Sequence, residues 1–134
     1  MLSRRMLSKD EEAQAEDTEV RKEDQEKINR FSTLHSRELV LEGKLKAKNK
    51  DKEDLEEVSM ELELADEDEL VPFKIGDSFF NLPLEEVQSL LSASTEKVAS
   101  EVSALEDEIS EVKDELQTLK VGLYARFGKG INLD

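Results

Sequence analysis

The sequence predicts a mainly α fold: a long antiparallel two-helix coiled coil joined by one short β-hairpin. Three observations predict it. Val98, Val102, Leu105, Ile109, Val112, Leu116, Leu119 and Leu123 alternate spacings of three and four without a break, which is the seam of a coiled coil. Leu34, Leu41, Leu55 and Leu62 recur at multiples of seven on an earlier stretch. Between the two stretches the period changes, and three of the five phenylalanines fall close to a Gly-Asp turn signal.

The first 22 residues mix acidic and basic side chains without an apolar period, so they read as a charged arm. Residues 23–134 then form a single domain. Its first helix runs from about 23 to 65, with Ile28, Phe31, Leu45 and Val58 filling the turns beside the leucines. Lys48 and Lys52 stand where apolar residues are expected. The run Lys44 to Lys52, with five lysines, is a loosened middle whose stems can cover the partner helix. The acidic run Asp66 to Glu69 ends the helix.

A hairpin follows over about 70–82. Leu70 to Ile75 reads as a strand, Gly76 to Ser78 as a turn, and Phe79 to Leu82 as the return strand. Pro72 lacks a backbone donor and suits an edge or entry position. Pro83 introduces the second helix, about 84–127, with Glu85 and Glu86 at its positive end. Gly128 and Gly130 stop it and leave a short apolar tail. At 1.5 Å per residue each helix is roughly 60 Å long. Each has one stripe to bury, and the hairpin returns the chain beside itself. A two-stranded hairpin is marginal alone, so it is expected to join a sheet made with other chains.

Composition narrows the function. The net charge of −15 repels phosphates and anionic lipid, which argues against direct nucleic-acid or membrane binding. The absence of cysteine removes disulfide and thiolate chemistry. His35 is a lone histidine on a helix surface, without the further ligands a zinc site needs. The acidic run lacks calcium-loop spacing, and the glycines at 128 and 130 lack the rest of a phosphate loop. Neither enzyme, cofactor nor metal chemistry is expected.

Three pieces flanking the seams are more distinctive than the seams: Glu23–Ser32 (EDQEKINRFS), Leu64–Phe80 (LADEDELVPFKIGDSFF) and Leu123–Leu133 (LYARFGKGINL). Through them, residues 23 to 133 resemble the beta-class prefoldin subunits of the eukaryotic hexameric co-chaperone. That resemblance implies a prefoldin beta-class-like fold in a heterohexamer with two alpha-class and three further beta-class subunits. It implies that non-native actin, tubulin and similar clients are held at the coiled-coil tips and passed to the cytosolic chaperonin. It implies no nucleotide and no covalent step. A cytoplasmic setting is implied, with the nucleus also open. Carried onto this chain, the assembly surface is Leu70, Val71, Phe73, Ile75, Phe79, Phe80 and Leu82. The client-binding tip is Ile28, Phe31, Leu34, Leu123, Tyr124, Phe127, Ile131 and Leu133. The competing reading is a homodimeric coiled-coil scaffold or adaptor, in which the hairpin phenylalanines would be dispensable.

Overall fold

The computed structural model describes residues 20–133, so most of the charged arm expected over 1–22 lies outside the described residues. Helix α1 spans Lys22–Glu63, strand β1 Leu70–Ile75, strand β2 Ser78–Pro83 and helix α2 Leu84–Phe127, followed by a 3-10 turn over Gly128–Gly130. The two long helices and the antiparallel hairpin are those the sequence predicts. The residues group into two compact units. One combines the described residues of Met1–Glu42 with those of Asp107–Asp134; the other is Gly43–Glu106.

In the first unit, Ile28, Phe31, Leu34 and Leu41 of α1 are buried, as are Ile109, Val112, Leu116, Leu123 and Phe127 of α2. The helices run antiparallel, as the cross-helix ion pairs show. Asp24 meets Arg126, Arg30 meets Glu115 and Arg37 meets Glu108, so positions rise on one helix as they fall on the other. Arg30 engages both Glu115 oxygens, through Nε at 2.9 Å and Nη2 at 3.2 Å. The Arg30–Glu115 and Arg37–Glu108 pairs are exposed and contribute mainly by fixing register, because solvent screens their attraction.

The second unit repeats the antiparallel pairing. Lys48 is half-buried at its seam position and its ammonium rests on Glu101. This is the stem-covering arrangement the lysine run suggested, although Lys52 is exposed. Thr95, where the α2 stripe is interrupted, is half-buried, and its hydroxyl donates to the Leu91 carbonyl at 2.8 Å. Val58 departs from the expected seam: it lies on the exposed side of α1. The helix finishes at Glu63 with 3-10-type hydrogen bonds from Leu64 N–H to Glu61 and from Ala65 N–H to Leu62, which satisfy carbonyls the α-helical pattern leaves open.

Leu62 of α1 and Leu84, Val87 and Leu91 of α2 form a buried cluster, against which Leu55, Ala65, Val71, Phe73 and Leu82 pack. One face of the hairpin is therefore anchored to the helices. The pairing runs from Leu70↔Pro83 to Ile75↔Ser78. The turn has two residues, not three. Gly76 takes φ 62 and Asp77 stays on the negative side. That is the type II′ pattern, which needs glycine in the first central position and matches the twist of the strands.

In a two-residue hairpin the pair closing the turn is hydrogen-bonded, and bonded pairs then alternate with unbonded ones. Counting back from Ile75↔Ser78 makes Pro72↔Asn81 and Leu70↔Pro83 unbonded pairs. Both proline nitrogens therefore face outward, where a missing donor costs the ladder nothing.

Leu41 is fully buried, whereas Leu39 on the same helix is 63% exposed. Leu41→Ala is expected to lower unfolding stability by about 2–5 kcal/mol, and Leu39→Ala to change it by no more than about 0.5 kcal/mol. Thermal and urea unfolding followed by circular dichroism checks both; equal losses at the two positions would contradict the seam assignment.

Candidate functional site

The seven hairpin residues expected at an assembly surface divide by strand geometry. Residues directly opposite each other share a face, and alternate residues along a strand do so too. Val71, Phe73 and Ile75 therefore share a face with Leu82 and Phe80, while Leu70 and Phe79 lie on the other. Val71, Phe73 and Leu82 pack on the chain's own helices. Ile75 and Phe80 are about half exposed, and Leu70 and Phe79 are 62% and 73% exposed. Phe79 has the Lys74 ammonium over its ring at 5.9 Å. The hairpin thus presents apolar side chains on both faces, with three of the seven already engaged internally.

The eight residues expected at a client-binding tip are brought together in the first unit. Ile28, Phe31, Leu34, Leu123, Phe127, Ile131 and Leu133 are buried there and Tyr124 is half-buried. Cationic and aromatic groups frame them. Arg126 lies 5.6 Å from the Phe127 ring and Lys120 5.8 Å from the Tyr124 ring, and His35 stacks beside Phe31 at 6.3 Å. These residues close a core in the single chain, so ligand contact at this end needs that core to open.

A polar clasp holds it, and the sequence reading did not identify this clasp. Asp24, third residue of α1, accepts the Arg21 backbone N–H at 2.9 Å through Oδ2. This is the reach-back half of a capping box, satisfying an otherwise unpaired donor at the helix start. The same oxygen accepts Arg126 Nε at 3.1 Å. Asp24 is 5% exposed, the buried charged residue among the described ones. The backbone hydrogen bond, supported by Arg126, holds its carboxyl below the usual aspartate range despite the opposing effect of burial. Hydrogen bonding to Arg30 likewise lowers Glu115, and bonding to Lys48 lowers Glu101. An acid placed early in α1 was a local signal of capping. Its link to Arg126, 102 positions away, had none.

A helix pair with one anchored, apolar hairpin defines a class of protein, the prefoldin-type subunit. The description "Prefoldin subunit" belongs to the family model matched by residues 25–130, and the chain belongs to that family. Among its relatives are proteins named Prefoldin subunit 4. The one from Saccharomyces cerevisiae is 39% identical over 92% of this chain and 95% of its own length. The one from Homo sapiens is 40% identical over 91% of this chain and 92% of its own. The crystal structure of the prefoldin beta subunit from Thermococcus strain KS-1 superposes with a TM-score of 0.73. It covers 81% of this chain and 95% of that one at 12% identity, so the likeness is one of fold.

Because the folded-state pKa of Asp24 is depressed, its contribution to stability is present above the ordinary aspartate range. It is lost as pH falls through the lower folded value. Asp24→Asn should therefore be less stable than the unsubstituted chain at pH 7, with the difference vanishing once Asp24 is protonated. Unfolding curves for both chains across acid pH test this. The difference between chains is the useful quantity, because acid also relieves the repulsion of a net −15 charge.

Proposed function

We propose that this chain is a non-enzymatic co-chaperone subunit that joins a heterohexamer through its hairpin and holds non-native proteins at the ends of its helices. Membership of the prefoldin subunit family supplies the coarse role, a chaperone subunit whose partners are other prefoldin subunits. The exposure of Leu70, Ile75, Phe79 and Phe80 on a two-stranded sheet carries the assembly part of the reading. Two strands are marginal alone and leave ladder groups unpaired, and apolar side chains of this size gain most from cover by a neighbouring subunit.

The proposed clients are non-native actin, tubulin and similar chains, delivered to the cytosolic chaperonin. The resemblance of the flanking pieces to beta-class subunits, together with relatives named Prefoldin subunit 4, supports this reading. The proposed setting is the cytoplasm, with the nucleus as a second site. Holding and release suit shallow apolar contacts repeated on several subunits, because effective concentration strengthens weak contacts.

Native mass spectrometry of the tagged protein from its own cells should find six different small subunits with this chain present once. A homodimer would favour the scaffold reading instead. Replacing Phe79 and Phe80 together with Ser should abolish co-purification of the other subunits while leaving helicity largely intact. Undiminished co-purification would remove the hairpin from the assembly surface. For clients, a photo-crosslinking residue at half-buried position 124 should attach to non-native actin in the assembled complex. Absence of that adduct, with assembly intact, counts against the tip assignment.

A further inference from the structure

The run Lys44 to Lys52 holds five lysines and one acid, Asp51, in a chain whose net charge is −15. Covering the seam with a lysine stem accounts for Lys48, which is half-buried with its ammonium on Glu101. It does not account for Lys44, Lys46 and Lys52, which are exposed and have no ion pair among the described residues. Side chains four apart on a helix are neighbours, and a lysine there is stabilised by an acid. Lys50 has such an acid in Asp54, at 2.8 Å. Lys44 and Lys48, Lys46 and Lys50, and Lys48 and Lys52 are instead like-charge pairs at that spacing, which weaken a helix.

Lys44, Lys48 and Lys52 form one row along α1, rising about 6 Å at each step. The ion pair of Lys48 with Glu101 sets this row beside α2. The helices are antiparallel in this unit, so one turn back from Glu101 corresponds to one turn onward from Lys48. Lys97 therefore stands level with Lys52. Hydrogen bonding to Lys48 lowers the Glu101 carboxyl, and the charge of Lys97 adds to that effect. From Ser92 to Ala104 the remaining charged residue of α2 is Glu96. Lysine is thus in excess over the two facing stretches, in a protein that is otherwise strongly acidic.

We propose that Lys44, Lys48 and Lys52, with Lys97 beside them, form a docking site for an extended acidic polypeptide segment with carboxylates at alternate positions. Alternate residues of an extended chain share a side and recur about every 6.6 Å, close to the step of the lysine row. The row is about 12 Å long, which an extended segment covers with about four or five residues. Beyond it α1 turns acidic, at Glu38 and Glu42 before the run and at Glu53 and Asp54 after it. A short acidic segment fits between those limits. A nucleic-acid strand, charged at every unit, runs on against the acidic flanks. The site uses neither the hairpin nor the tip residues, so it goes beyond the proposed function and is tested independently of it.

The probe is a fluorescein-labelled peptide, Gly-Glu-Ser-Glu-Ser-Glu-Gly, with its Gln-for-Glu counterpart and a short oligothymidylate as comparisons. Fluorescence anisotropy with the full chain at low salt should show binding of the acidic peptide alone. Raising salt from roughly 0.01 M to 0.15 M should weaken it, as the screening length falls from about 30 Å to about 8 Å. Lys44→Gln with Lys52→Gln should weaken it about fivefold or more. Lys46→Gln with Lys50→Gln removes the same net charge from the other row and should change it by less than about twofold. No binding of the acidic peptide, equal binding of either comparison, insensitivity to salt, or equal weakening by the two pairs of substitutions overturns the proposal. If a pair of substitutions lowers helicity, carbodiimide crosslinking of the peptide to the unsubstituted chain decides. Adducts on Lys44, Lys52 or Lys97 support the site, and adducts confined to other lysines overturn it.

Discussion

Within each compact unit the apolar stripe of α1 meets that of α2, and that contact is the constraint on which the rest depends. The stripe is the buried face of each helix, while Leu39, Val40, Val58 and Met60 of α1 stay exposed. In the first unit the buried residues line both helices, with Leu34 and Leu41 on one and Ile109, Val112 and Leu116 on the other. Polar groups are admitted only where they find partners, as with Lys48 on Glu101 and the Thr95 hydroxyl on a carbonyl of its own helix. Among the described residues no buried side-chain nitrogen or oxygen lacks a hydrogen bond. That contact stops at the hairpin in one unit and at the start of α1 and end of α2 in the other, and the informative chemistry gathers there.

At the hairpin the chain cannot cover every apolar side chain. The Leu62, Leu84, Val87 and Leu91 cluster takes up Val71, Phe73 and Leu82, while Leu70 and Phe79 stand on the opposite face and stay exposed. At the helix ends the opposite holds. The apolar residues there are satisfied within the chain, and Asp24 with Arg126 ties the start of α1 to the end of α2. One surface is left partly uncovered, and the other is closed within the chain.

How much of this could be read in the sequence follows from what periodicity encodes. The eight residues from Val98 to Leu123 are all buried or half-buried, because an unbroken alternation of three and four states which side of a helix faces its partner. The pattern of α1 is diluted by lysines and by the neighbouring Leu39 and Val40, so Val58 could be assigned to the seam although it faces solvent. In the hairpin, apolar residues occupy both faces, and the usual inside-outside alternation is missing. Nothing in that pattern separates Phe73, which packs inward, from Phe79, which does not. The burial of Ile131 and Leu133 was equally illegible, since they lie beyond the end of α2, past the turn that Gly128 makes at φ 66, where no helical period applies. Sequence shows that they are apolar, but not whether the chain itself covers them.

The two prolines of the hairpin give it a handedness of approach. With both proline nitrogens turned outward, the free edge of β1 has a gap at Pro72, flanked by the donors of Leu70 and Lys74. The free edge of β2 keeps consecutive outward donors at Phe79 and Asn81 and loses its donor only at Pro83, where the strand ends. A strand laid along β2 meets an unbroken run, whereas one laid along β1 meets an interruption at its centre. Back-to-back association along β2 joins two unbroken edges, whereas head-to-tail association sets one of them against the interrupted edge of β1. The position of Pro72 therefore makes β2 the edge that a further strand extends at less cost.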